Sequence, residues 1–118
     1  MKILIVDDEQ FIHDALGQFF QLKNDEVKGA KDIKTAQEEI ETFKPQLVLL
    51  DVKLDKESGL DVLKYIKERH KDIKVILVTG FNDTAMQEKA NTLGADGIFF
   101  KPISIPNLNK LIKEVMSK

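Results

Sequence analysis

Apolar residues in this 118-residue chain fall into short unbroken runs, separated by longer stretches in which they recur every three or four positions. The runs suit strands buried on both faces, and the stretches suit helices with one inward face. Residues 2–6 predict a first strand, and Ile12, Leu16 and Phe19 or Phe20 predict a helix after it that Asp8 is placed to cap. A weaker strand at 26–29 leads to a helix over 34–43 with Ala36 and Ile40 on its inner side, and Pro45 separates that helix from a third strand at 47–50. The polar stretch 53–58 reads as a loop, with Gly59 supplying backbone freedom before a helix that carries Leu60, Leu63 and Ile66. A fourth strand at 74–78 continues through a loop at 80–82 to a helix opened by Asp83 or Thr84 and stopped at Gly94. The fifth strand, 98–100, follows at once. Ser104 can cap the last helix, whose inner positions are Leu108, Leu111, Ile112 and Val115.

Five strand-helix units in alternation predict an α/β fold: a doubly wound, flavodoxin-like parallel sheet of five strands with five helices on its two faces. The favoured strand order is 2-1-3-4-5, which sets strands 1, 3, 4 and 5 side by side and leaves the weak second strand at an edge. The length corresponds to one domain, residues 1–118. Lysines and arginines (18) and acids (20) are interleaved to a net charge of −2, so no basic face is expected for direct contact with nucleic acid. The absence of cysteine excludes disulfides, thiolate chemistry and zinc-finger ligation. The apolar runs are too short to span a bilayer and the start lacks a secretory cleavage pattern, so a cytoplasmic protein without a membrane partner is expected.

In a parallel sheet the polar residues that end the runs share the carboxyl edge, where open α/β folds place their ligands. Asp7 and Asp8 follow the first strand, Asp51 the third, Thr79 the fourth and Lys101 the fifth. Alone, Asp7 and Asp8 read equally as a helix cap and a loop residue, and Thr79 as an ordinary β-branched strand end. Together, three facing carboxylates repel unless a cation sits among them, and oxygen ligands of this kind suit Mg2+ or Mn2+. Lys101 lies between Phe100 and Pro102, and a cis bond before Pro102 would make a sharp turn that aims the lysine back over the sheet. His13 and His70 read as surface histidines without partners at metal-ligand spacing. Gly17, inside the first helix, costs roughly 1 kcal/mol relative to alanine, and marks either a close approach by another helix or ordinary tolerance.

At these positions the chain resembles the receiver domains of two-component response regulators, over its whole length. The matching pieces are Ile-Leu-Ile-Val-Asp-Asp-Glu at 3–9, Pro-Gln-Leu-Val-Leu-Leu-Asp-Val at 45–52, Ser-Gly-Leu-Asp-Val-Leu at 58–63, Val-Ile-Leu-Val-Thr-Gly at 75–80, and Gly-Ala-Asp-Gly at 94–97 leading to Lys101-Pro102. Each piece is modest alone, and five in order at the family's spacing are highly specific. The resemblance implies that Asp51 accepts a phosphoryl group from a phosphohistidine of a sensor histidine kinase or phosphotransfer protein. It implies that Asp7, Asp8, Asp51 and the backbone carbonyl of Lys53 hold Mg2+, and that Thr79 and Lys101 bind phosphoryl oxygens. It further implies a switch in which Thr79 moves inward and the surface of the fourth helix, fifth strand and fifth helix meets an effector or a second copy.

Three departures from the family pattern stand out. Leu54 and Asp55 replace the usual Met-Pro, and Ile98 replaces the usual switch aromatic, with Phe100 on the same side of the strand by alternation as its substitute. Lys53 and Phe81 occupy the positions that in the family govern how water reaches the acyl phosphate. Two rival readings are weaker. A phosphatase of the haloacid dehalogenase type calls for Asp-x-Asp after the first strand, whereas Glu9 stands two after Asp7 and no paired acids follow Lys101. A binding platform that takes no phosphoryl group has no need of all five active-site side chains. Phe11, Ala15 and Gln18 form a candidate docking stripe on the first helix.

Overall fold

In a computed structural model, which describes residues 1–80 and 82–118, the chain alternates strands and helices as β1 (Lys2–Val6), α1 (Gln10–Leu22), β2 (Glu26–Ala30), α2 (Ile33–Phe43), β3 (Leu47–Leu50), β4 (Lys53–Leu54), β5 (Glu57–Ser58), α3 (Leu60–Arg69), β6 (Lys74–Thr79), α4 (Thr84–Leu93), β7 (Gly97–Phe100) and α5 (Ile105–Met116). Five parallel strands form one sheet in the order β2-β1-β3-β6-β7, the expected 2-1-3-4-5 arrangement. Successive side chains on a strand point to opposite faces, so the apolar runs feed two cores. Leu4, Val6, Val48, Leu50, Val75 and Leu77 pack under α2, α3 and α4, against Ile40, Leu63, Ile66 and Met86 among others. Ile3, Ile5, Leu47, Leu49, Ile76 and Val78 pack under α1 and α5, against Leu16, Phe20, Leu108 and Ile112. Each such side chain taken fully out of water contributes about 1.5–3 kcal/mol, which is why the central strands are apolar between the lysines that open β1 and β6 and the polar residues at their carboxyl ends.

Several local expectations are corrected. Asp8 does not cap α1. The N-cap is Glu9, without a side-chain capping bond, and the Asp8 carboxylate instead accepts the Asp55 N–H across the site at 3.0 Å. Ser104 occupies the N-cap of α5 but makes no capping bond, because Pro106 in the first turn removes one of the two amides such a cap addresses. Asp83 does cap α4, accepting from Ala85 N–H at 2.7 Å, and Gly94 closes that helix at φ +95°, a left-handed conformation that favours glycine. Residues 53–58 form not a plain loop but a minimal antiparallel pair, Lys53 facing Ser58 and Leu54 facing Glu57, with Leu54 buried beneath it and Asp55 at φ +53° in its turn.

Gly59 has an ordinary helical conformation, φ −63° and ψ −18°, so backbone freedom is not its purpose. A Cβ at this position would lie 1.9 Å from the backbone oxygen of Asp51, so only glycine lets the start of α3 pass so close to the end of β3. At Gly17, by contrast, a Cβ would meet nothing within 4 Å, which leaves ordinary tolerance as its reading. Phe81 lies outside the described residues. No helix among the described residues is long and apolar enough to cross a membrane.

Candidate functional site

The sheet's backbone ladder runs one residue past its strands and so delivers the polar strand ends to one place. Asp7 N–H donates to Ala30 O at 3.0 Å, Asp51 N–H to Val6 O at 2.9 Å, and Lys101 N–H to Thr79 O at 2.9 Å. Asp7, Asp51 and Thr79 are the buried polar residues of the described chain, and all three stand at this edge. Asp8, Glu9, Lys53, Asp55, Gly80 and Lys101 join Asp51 and Thr79 around one open cleft.

Lys101 reaches across three strand ends. Its Nζ lies 2.9 Å from Asp7 Oδ2, 3.0 Å from Asp51 Oδ2 and 3.4 Å from Glu9 Oε1. The remaining carboxylate oxygens are held by amides: Asp7 Oδ1 accepts from Glu9 N–H at 2.9 Å, and Asp51 Oδ1 accepts from Lys53 N–H at 3.2 Å. Burial holds the Asp7 carboxyl above the usual carboxylate range, against the opposing pull of the Glu9 amide and Lys101. At Lys101 desolvation would lower the pKa, but hydrogen bonds and charge from Asp7 and Asp51 outweigh it and hold the ammonium above its ordinary value. The lysine is therefore cationic at any physiological pH and screens two acids that would otherwise face each other.

Carboxylate oxygens of Asp7, Asp8, Glu9 and Asp51 lie within 4.8 Å of one another. An all-oxygen, anionic donor set of this size fits a hard divalent cation such as Mg2+, with open cleft left for water. The β4–β5 hairpin borders this cluster and is tied at two points near its turn, by the Asp55 N–H to Asp8 and by Glu57 Oε1, which accepts the Ile33 N–H of α2 at 3.1 Å.

The sequence profile of the response regulator receiver domain matches residues 3–113. The chain belongs to the response regulator receiver family. Response regulator RR06 of Streptococcus pneumoniae is 33% identical over the whole of this chain, which spans 54% of that protein. Sporulation initiation phosphotransferase F of Bacillus subtilis is 31% identical over 98% of this chain and 93% of its own length. Among solved structures, a CheY-like receiver domain protein from Methanospirillum hungatei superposes with a TM-score of 0.94 at 30% identity, covering 98% of this chain and 93% of that one.

In this receiver domain the structure brings Asp7, Asp8, Asp51, Lys53, Thr79 and Lys101 to one cleft edge. The Lys101–Pro102 bond is cis. The side chains of β7 are less enclosed: Ile98 packs half-buried against the core under α4, while Phe100, paired in register with Thr79, is 38% exposed. Phe11 is 63% exposed and Ala15 and Gln18 are also exposed, so that stripe of α1 faces solvent and Phe11 is not core. Three contributors were not legible in the sequence. Glu9 joins the cluster through its place beside Asp8, the Asp55 amide holds Asp8, and His13 reaches the Asp7 backbone rather than solvent. Glu9 could have been found from its adjacency to the Asp pair; the other two depend on tertiary contacts between distant segments.

Proposed function

We propose that this receiver domain is a phosphoacceptor, taking a phosphoryl group from a phosphohistidine onto Asp51. The observation that carries the reading is the ammonium of Lys101 bridging Asp7 and Asp51 at 2.9 and 3.0 Å, which joins the acidic cluster to a carboxylate that lines the cleft. Family members interact with histidine kinases or phosphotransfer proteins, and the donor here is of that class. An Asp51 oxygen attacks phosphorus, the bond to the donor imidazole breaks, and the carboxylate becomes a mixed anhydride that water later opens. Lys101 moves from carboxylate to phosphoryl oxygen as negative charge accumulates, and the Thr79 hydroxyl, at the end of the adjacent strand, supplies a second donor.

Receiver domains typically bind Mg2+ at an acidic pocket, and here Asp7, Asp8, Asp51 and the Lys53 carbonyl would hold it. Bound there, the ion supplies charge neutralisation between incoming phosphoryl oxygens and the carboxylates. The β6–α4 connection then follows Thr79, and the α4, β7, α5 face carries the change to an effector or a second copy, with Ile98 and Phe100 as the β7 side chains that report it. Lys53, beside Asp51, governs water access to the acyl phosphate. A cytoplasmic location fits this donor class. The chain spans about half the length of some relatives and nearly all of the sporulation phosphotransferase, so the domain is suited either to drive an attached effector or to act alone.

The test is to incubate the protein with acetyl phosphate and Mg2+ and weigh it intact. One added phosphoryl group that Asp51→Asn and chelator both abolish supports the proposal. An unchanged mass in the wild type favours a platform that takes no phosphoryl group, and steady phosphate release from many monoesters would favour a phosphatase instead.

A further inference from the structure

His13 sits in α1 with its imidazole turned back onto the sheet, Nε2 lying 2.6 Å from the backbone oxygen of Asp7. A carbonyl oxygen only accepts, so Nε2 carries the proton in this contact, in the neutral ring and in the imidazolium alike. The other edge of the ring rests on Gly29 of β2, where a Cβ would stand 2.6 Å from Nδ1 and 2.9 Å from Cε1. Gly29 is not among the positive-φ glycines, so nothing in its backbone conformation calls for glycine. A glycine inside a strand marks a close approach, and here the approaching group is the His13 ring.

The consequence falls on Asp7. Its N–H is bound to Ala30 O of the neighbouring strand, and its carbonyl to His13, so both peptide groups flanking the residue are tethered. Its carboxylate then has one direction available, with Oδ1 on the Glu9 amide and Oδ2 on Lys101. We propose that His13 is a positioning residue of the acidic site, that its Nε2–H sets the backbone from which Asp7 presents its carboxylate to the cation, and that Gly29 is the seat the ring requires. This inference rests on the reading of Asp7 as a Mg2+ ligand. Glutamine at 13 carries an N–H three bonds beyond Cβ, as the imidazole Nε2 is, and methionine offers similar bulk without a donor.

The experiment compares wild type, His13→Ala, His13→Gln, His13→Met, Gly29→Ala and the double variant His13→Ala/Gly29→Ala. Mg2+ affinity is measured by titration calorimetry, and hydrogen exchange of the Asp7 and Glu9 amides by NMR without metal. Loss of one hydrogen bond to the ligand's backbone predicts Mg2+ binding weakened about five- to tenfold in His13→Ala, His13→Met and Gly29→Ala, with faster exchange at both amides. His13→Gln is expected to recover affinity to within about twofold, and the double variant to bind no worse than His13→Ala, because the vacated space accepts the methyl group. Wild-type affinity and exchange in His13→Ala, failure of glutamine to outperform methionine, or additive losses in the double variant would each overturn the inference. A wild type that binds no Mg2+ would sink the phosphoacceptor reading, while exchange at the two amides would still decide whether His13 positions Asp7.

Discussion

Replacing Gly59 by alanine tests whether the close passage of α3 over the end of β3 is what sets the phosphoacceptor's position. The backbone angles at 59 suit alanine, so the cost is steric alone: the added Cβ would start 1.9 Å from Asp51 O and 2.9 Å from Asp51 C, with Leu50 Cδ1 a further 3.2 Å neighbour. Relief to an ordinary carbon–oxygen contact near 3.4 Å requires the two backbones to part by about 1.5 Å. Overpacking of this kind costs about 1–3 kcal/mol, and the loss of glycine's freedom in the unfolded chain returns about 0.4–1 kcal/mol, leaving a net loss of about 1–2 kcal/mol. For a domain of this size that corresponds to a fall in Tm of about 4–8 °C. The displacement lands on Asp51 itself, and misplacing a reacting group by about 1 Å costs on the order of 100-fold in rate. Thermal unfolding by circular dichroism reads the first effect, and intact mass against time with acetyl phosphate and Mg2+ reads the second. A Gly59→Ala protein that melts within about 2 °C of wild type and phosphorylates at the wild-type rate would mean that the clearance at Gly59 does not set the position of Asp51.

Gly17→Ala is the opposite case: its methyl group enters open space in the middle of α1, so it should stabilise by about 0.5–1 kcal/mol and raise Tm by about 2–4 °C, and an unchanged melting curve would contradict that. Asp7 has a folded pKa above its unfolded value of 3.8, so the folded state takes up its proton first. This group therefore adds stability as pH falls through the folded pKa, and Asp7→Asn should raise Tm in Mg2+-free buffer at pH 7 while weakening Mg2+ binding in calorimetry. Lys101 behaves in the converse way. Its folded pKa lies above 10.5, so its contribution is complete below that value and is lost as pH rises through the folded pKa. Lys101→Met leaves Asp7 and Asp51 facing each other and should cost about 2–3 kcal/mol at pH 8 by urea unfolding, less than a fully enclosed pair because the cleft is open to water. Chemical unfolding that shows no loss for this variant would mean the ammonium is not what holds the two acids together.

The amino-acid order alone determined the strand-helix rhythm, the favoured strand order and the five polar residues at four strand ends, because burial on both faces leaves a periodic mark and a parallel sheet sends every strand's carboxyl end the same way. Even the stop at Gly94 and a helix start at Asp83 or Thr84 were legible, since each is a property of a few adjacent residues. Contacts between segments distant in the chain are settled only once the chain has folded. Whether Asp8 caps a helix or accepts the Asp55 amide depends on a hairpin residue 47 positions further along the chain. Gly59 reads in sequence as backbone freedom and is instead a clearance for a neighbouring strand's carbonyl, and His13 reads as a surface residue and is instead seated on Gly29. Patterns of hydrophobicity report which face of an element is buried, but not what stands opposite it. The fine geometry of a site is set by that opposing surface, which exists only once the chain has closed on itself.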